Sequence, residues 1–358
     1  MQIVFKTSYD QDINLLSKTG EYIRVGGVVL LMIAAPIFLD DYYLSELGML
    51  LVYVIAGIGL MILTGFTGQV SFGHAAFLGI GAYCHSILMT TGVPFMVSIV
   101  LTTILTGLIG MIIGRSASKM HGFYLAVATL AFLIIIETVI GEWTDLTGGY
   151  AGYAVPEIEV FGIYLTDMWK HYYVDLAVTL YVVWGTANLL RSPSGRSFLA
   201  VRDSELSARS LGVNVEWVKI QSFGVSAAIT GLAGVLLAHR LSYLAPETFG
   251  VLESLKLLLM IVVGGLGSIT GAIFGAIFVS LLPVILSLLR DVLPEAISQQ
   301  AGLEPMVFGL IIVMFVIFEP EGINGRWKKL LHFIETFPYY RKASFVRQKS
   351  YLKTERMR

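Results

Sequence analysis

Glu137, Glu253 and Lys256 sit inside, or near the ends of, long apolar runs. A charge held in hydrocarbon is costly, so such residues face a bundle interior, a cavity or one another. Glu253 and Lys256 stand three apart and can pair on one helix face. Snorkelling from a span end is the alternative for both, and Lys256 reads first as an interior structural charge. A second constellation is uncharged. In residues 65–81, GFTGQVSFGHAAFLGIG, glycines at Gly65, Gly68 and Gly79 let the backbone break or approach closely, while Gln69, Ser71 and His74 supply polar atoms. Main-chain groups exposed at a helix break suit a zwitterionic or amide solute. The competing reading is that the glycines only let helices pack and the polar residues seal the interface. Gly264, Gly265 and Gly267 interrupt a later apolar stretch and join the possible substrate path.

Catalytic chemistry finds little support. His74, His85, His121, His171, His239 and His332 are scattered over many elements, without the i,i+4 spacing of a helical metal site. No metal site is expected. Cys84 is the single cysteine, so neither an internal disulfide nor a thiolate cluster can form. No Gly-rich loop runs into Lys-Ser/Thr and no nucleophile elbow occurs. The chain is therefore not expected to be an enzyme or to bind a cofactor, and any ATP would be held by another chain. Nucleic-acid recognition has no signature.

The elements that carry these residues are hydrophobic. Of the 358 residues 56% are apolar and 14% charged, against about 25% charged in soluble domains. Repeated apolar runs long enough to span lipid predict an all-α polytopic transmembrane bundle. The runs fall at about 25–39, 47–63, 65–89, 95–114, 123–140, 173–190, 220–238, 251–289 (two spans divided at the glycines) and 303–318. That makes about ten spans, range 8–11, with the third broken or re-entrant near its start. Residues 1–24 form a polar lead rather than a cleavable signal peptide, residues 25–318 the membrane domain, and residues 319–358 a basic tail. Gly224, Gly231 and Gly234 predict close helix packing. Trp143, Trp169 and Trp184 read as an interfacial belt. A faint echo links LMILTGFTG at 60–68 with LMIVVGGLG at 259–267.

One segment does not belong in lipid. Residues 191–219, RSPSGRSFLAVRDSELSARSLGVNVEWVK, carry five Lys/Arg and three Asp/Glu between two spans. Pro193 and Gly195 open it, Gly212 and Asn214 break it, and residues 196–209 read as one short helix. Ten spans put this loop, both termini and Arg115–Lys119 on one side, and Asp40–Glu46, residues 141–171 and the turn 290–302 on the other. The excess of Lys/Arg makes the first side cytoplasmic.

Taken together, GQVSFGHAAFLGIGAY (68–83), GFYLAVATLAF (122–132), LTGG (146–149), the stretch 195–223, VVGGLGSITGAIFGA (262–276) and FEPEGINGRW (318–327) resemble the LivM-type permease subunit of branched-chain amino acid ATP-binding-cassette importers. The resemblance covers about residues 47–325. It implies that residues 196–212 form a coupling helix seated on an ATPase subunit, with Ala200, Asp203, Glu205, Ala208 and Gly212 at the matched positions. Arg196 and Arg202 are candidates beside them. It also implies a LivH-type second permease, two ATP-binding cassettes carrying ATP and Mg, and a periplasmic substrate-binding protein, in a bacterial inner membrane. Leucine, isoleucine and valine are the implied solutes, with urea, short amides or other amino acids as alternatives. Glu137 departs from the pattern, which has arginine there. An ion-coupled secondary transporter and a channel are the rival classes; neither accounts for the polar segment.

Overall fold

The structure, a computed structural model, describes residues 19–160, 163–165, 167–290, 303–319 and 321–336. Its main helices are α1 (Thr19–Phe38), α2 (Asp41–Leu60), α3 (His74–Thr90), α4 (Phe95–Ala117), α5 (Phe123–Glu142), α6 (Met168–Arg191), α7 (Pro193–Asp203), α8 (Glu205–Ser210), α9 (Val215–Leu241), α10 (Val251–Gly264), α11 (Ile269–Arg290), α12 (Leu303–Phe318) and α13 (Gly322–Thr336). The expected all-α bundle is observed, and each apolar segment anticipated above coincides with one of α1–α6 or α9–α12. Among the described residues, five helices are by themselves long and apolar enough to cross a membrane: α2 with its extension to Phe66, α4, α5, α6 and α9. Shorter apolar stretches lie in α1 (Ile23–Phe38) and α11 (Ile269–Pro283). Most of the polar lead, the turn beyond residue 290 and the tail beyond residue 336 lie outside the described residues.

Burial separates a centre from a periphery. In α2 and α9, 72% of the most apolar stretch is buried, against 28% in α4, α5 and α6. α9 packs on α2, α3 and α4. Small residues make this possible: a Cβ at Gly234 would lie 2.1 Å from the Leu78 carbonyl oxygen, and one at Gly231 2.6 Å from the Thr106 side chain. The packing expected of the α9 glycines is thus present. A buried ion pair joins α9 to α6. Arg240 donates from Nε and Nη2 to Asp175 Oδ2 at 2.8 and 2.5 Å, and both side chains are 5% exposed. Gly48 of α2 leaves the space that the guanidinium fills.

The connections gather at two ends. At one end β1 (Tyr153–Ala154) pairs antiparallel with β4 (Tyr243–Leu244), and β2 (Glu159–Val160) with β3 (Ile163–Tyr164). There Tyr153 donates to Thr90 Oγ1 at 2.9 Å, and His85 and His239 face one another at 2.9 Å between their Nε2 atoms. The polar segment α7–α8 lies at the other end, with the two interruptions of the apolar helices.

Candidate functional site

Three caps shape the polar segment. Ser192 Oγ accepts from Gly195 N at 3.3 Å, with Pro193 in the first turn of α7. Ser204 is extended (φ −166°, ψ 111°) and its Oγ accepts from Ser207 N at 3.2 Å, starting α8. Asn214 Oδ1 accepts from Trp217 N at 3.1 Å, starting α9. Each such cap satisfies an orphan helix N–H and contributes about 1 kcal/mol. The single helix expected over 196–209 is therefore two helices, because Ser204 caps the second instead of continuing the first. Gly212 follows α8 as its terminator: Val213 N–H donates to Ala208 O at 3.0 Å.

The inner face of this segment is anchored. Phe198, Val201 and Ala208 are at most 2% exposed. Arg202 extends inward from α7, and its Nη1 donates to Gly65 O at 3.2 Å. Gly65 lies in the π-helical extension of α2, Met61–Phe66, after which the chain breaks until α3. A cation at a helix C-terminus answers the unpaired carbonyls there. Gly68, at φ +76°, rests on the Arg202 stem, where a Cβ would sit 3.2 Å from Cγ. At Gly267, φ +78°, a Cβ would be 3.0 Å from Arg202 Nη1. One arginine thus touches both interruptions, 67–73 and 265–268. On its far side the second interruption is tied to α13, since Asn324 Nδ2 donates to Ser268 Oγ and Thr270 Oγ1 donates to Asn324 Oδ1, each at 2.8 Å.

Glu205 is the second anchor. Its carboxylate lies 2.8 Å from Lys219 Nζ and 3.2 Å from His121 Nε2. Lys219 is 2% exposed and also donates to Ser118 O at 3.4 Å. Burial works to raise the Glu205 carboxyl, but the hydrogen bonds and charges of Lys219 and His121 outweigh it and hold the group below its ordinary value.

Other candidates are dispersed. Asp203 accepts from Arg202 Nε and Nη2 yet is 69% exposed, and Arg196 Nη1 donates to Arg191 O at 2.9 Å. Ala200 is half-buried and Gly212 exposed. Gln69 Nε2 donates to Ser222 Oγ at 2.8 Å. His74 lies 2.6 Å from Ser226 Oγ and 3.0 Å from Ser71 Oγ. Because Ser226 spends its proton on Gly59 O, His74 Nε2 donates and Nδ1 accepts. Ser71 and His74 are fully buried and Gln69 nearly so, with Gln69 Oε1 left without a hydrogen-bond partner among the described residues. Gly79 abuts Phe249, and Gly264 meets Gly271 so closely that α10 and α11 touch through their backbones. Gly265 faces Glu321 O.

Glu253 Oε2 lies 3.7 Å from Lys256 Nζ, the i,i+3 pairing expected. Glu137 reaches Gly250, where a Cβ would be 3.1 Å from its Oε1, at the N-terminal end of α10. Two leucines on the outward face of α8 and just after it, Leu206 (78% exposed) and Leu211 (82%), stand outside the sequence candidates. Their signal was present: large apolar residues at outward positions of a polar segment.

Arg202→Ala should expose the first interruption. A cysteine replacing Thr67, which is 2% exposed, should then react with a thiol reagent several times faster than in the Arg202 background. Equal rates would show that Arg202 does not hold this junction shut.

A multi-helical apolar body with one anchored polar segment has the build of a membrane permease. The chain belongs to a family of such proteins: residues 42–316 match the family described as "Branched-chain amino acid transport system / permease component". It is 28% identical over 321 residues to the high-affinity branched-chain amino acid transport system permease protein LivM of Salmonella typhimurium, spanning 83% of this chain and 73% of that one. It is 26% identical over 334 residues to the autoinducer 2 import system permease protein LsrC of Escherichia coli O157:H7 (88% and 93%). Identity to LivH of Salmonella typhimurium is 25% over 292 residues (76% and 91%). No solved structure matches.

Proposed function

We propose that this chain is one permease subunit of an ATP-driven importer for branched-chain amino acids, in a bacterial cytoplasmic membrane. In this reading the chain crosses the membrane about ten times, with both termini and the α7–α8 segment in the cytoplasm. A LivH-type chain completes the pathway, two ATPase subunits carry ATP and Mg, and a periplasmic binding protein delivers leucine, isoleucine or valine. The observation that carries the reading is the polar segment itself. It presents Leu206, Leu211 and Asp203 outward while Arg202 and Glu205 tie it to the helix interruptions and to the base of α9. Closure of an ATPase against that outer face would move both interruptions, which is how a binding event biases a two-state pathway. The likeness to LsrC, named for autoinducer 2 import, favours a second reading in which the same machinery serves another solute.

Leu206→Asp with Leu211→Asp should remove the ATPase subunits from the purified complex while the second permease stays bound, because two apolar anchors become charges at the contact. Undiminished co-purification would place the contact elsewhere. Uptake of leucine, isoleucine, valine, urea and short amides by the reconstituted complex, with and without ATP, tests the reading as a whole. ATP-independent uptake by this chain alone would overturn it.

A further inference from the structure

A cavity of about 410 Å³ opens between α2, α10, α11 and α12, toward the end of the bundle opposite α7–α8. Its walls are chemically divided. Glu46 and Tyr53 of α2 supply a carboxylate and a phenol, and Lys256 of α10 an ammonium. Met49 and Phe308 are among the apolar lining residues, with Lys256 Nζ 5.8 Å above the Phe308 ring. Ser280 of α11 adds a hydroxyl whose Oγ has no hydrogen-bond partner among the described residues. On α2 the lining positions 42, 46, 49 and 53 recur every three to four residues, so one helix face looks into the space. An ionisable group within an apolar bundle, as Lys256 is, is a candidate for a solute path when it also faces a cavity, and a buried hydroxyl without a partner calls for one.

We infer that this cavity is a subsite for a zwitterionic α-amino acid with an apolar side chain, an inference that rests on the importer reading. Lys256 and Ser280 receive the carboxylate, Glu46 receives the ammonium, and Met49 and Phe308 receive the side chain. A phospholipid headgroup shares the pairing of cation and anion. The depth favours the free amino acid: along α2 the lining runs from Glu46, about 8 Å from the helix start, to Tyr53, about 18 Å from it at ~1.5 Å per residue, so the cavity opens at Glu46 and reaches below headgroup level in a core about 30 Å thick. The volume lies at the lower end of the roughly 300–1,000 Å³ of small-molecule sites. Lys256 thus acquires a role beyond its pairing with Glu253.

The test uses the full complex in proteoliposomes with Cys84→Ala and Val279→Cys, a lining position given no part in binding, following modification at position 279 by a methanethiosulfonate reagent. Leucine should slow modification at least threefold. Isoamylamine and isocaproate, which each lack one charge, should not, and Lys256→Gln should remove the protection by leucine. Absence of protection in a preparation that transports leucine overturns the subsite. So does modification that depends on phosphatidylethanolamine in the vesicle but not on leucine, and so does a position 279 that the reagent never reaches. Protection by leucine in a complex that takes up no leucine on ATP would keep the subsite and overturn the importer reading instead. Should Lys256→Gln fail to assemble, the comparison of leucine with its two analogues decides alone.

Discussion

Glu205→Lys should abolish ATP-driven uptake while leaving the chain in the membrane at normal abundance. The substitution replaces the carboxylate that pairs with Lys219 at 2.8 Å and lies 3.2 Å from His121 by a second ammonium. Lys219 is 2% exposed and cannot turn to water, so the new charge repels a buried one. Losing one partner of a fully buried pair costs about 3–5 kcal/mol. Glu205 is 34% exposed, and solvent screening brings the expected cost to about 1–3 kcal/mol. That is enough to release α8 from the base of α9 and too little to unfold a bundle whose core lies elsewhere. ATP hydrolysis by the complex should continue with transport uncoupled from it. Glu205→Lys combined with Lys219→Glu should recover part of the uptake, which no unrelated folding defect would do. Wild-type uptake by the single variant would remove Glu205 from the coupling path. The acid sensitivity follows from the same clamp. Its carboxyl is held below the ordinary value, so its stabilising contribution is complete above that value and is lost only as pH falls through the lowered one. At neutral pH the clamp is closed.

Asp175→Asn should be strongly destabilising. It leaves Arg240, whose side chain is 5% exposed, charged and without its carboxylate between α6 and α9. Breaking such a pair costs about 3–5 kcal/mol, seen as a lower unfolding temperature in detergent and reduced yield. Replacing both residues by apolar ones of similar volume, Asp175→Leu with Arg240→Met, should restore most of the loss, since the pair's own desolvation cost disappears with it. A normal unfolding temperature for Asp175→Asn would mean that water or another group satisfies Arg240.

The helices were legible because hydrocarbon leaves the backbone no other option, and each anticipated apolar run coincides with a helix. The broken start of the third span and the glycine division of residues 251–289 were legible for a related reason, since glycines and polar atoms interrupt an otherwise uniform pattern. Pairings across the fold were not. Asp175 meets the same criterion that singled out Glu137, a carboxylate within an apolar run, yet it was passed over. Its partner Arg240 reads in sequence as the start of a loop. Lys219 closes a water-compatible segment in sequence and is buried in the structure. Arg202 and Glu205 stand on a segment whose charges suggested outward contacts, whereas packing turns both toward the protein. A sequence records that a helix is polar; which of its charges are satisfied internally depends on neighbours from other elements, such as Gly65 for Arg202 and His121 for Glu205. Ser204 was missed for a local reason: Asp-Ser-Glu supports a continuing helix or a fresh cap, and only the direction of the next turn decides.

The faint echo between 60–68 and 259–267 has a spatial counterpart. A Cβ on Gly65 would lie 2.8 Å from Gly267 N, and Gly267 N donates to Met61 Sδ at 3.2 Å. The two interruptions press on one another and share Arg202. Two joints fastened by one bolt do not feel a load separately: a displacement at the end of α2 bears directly on the end of α10 through Arg202 and Met61.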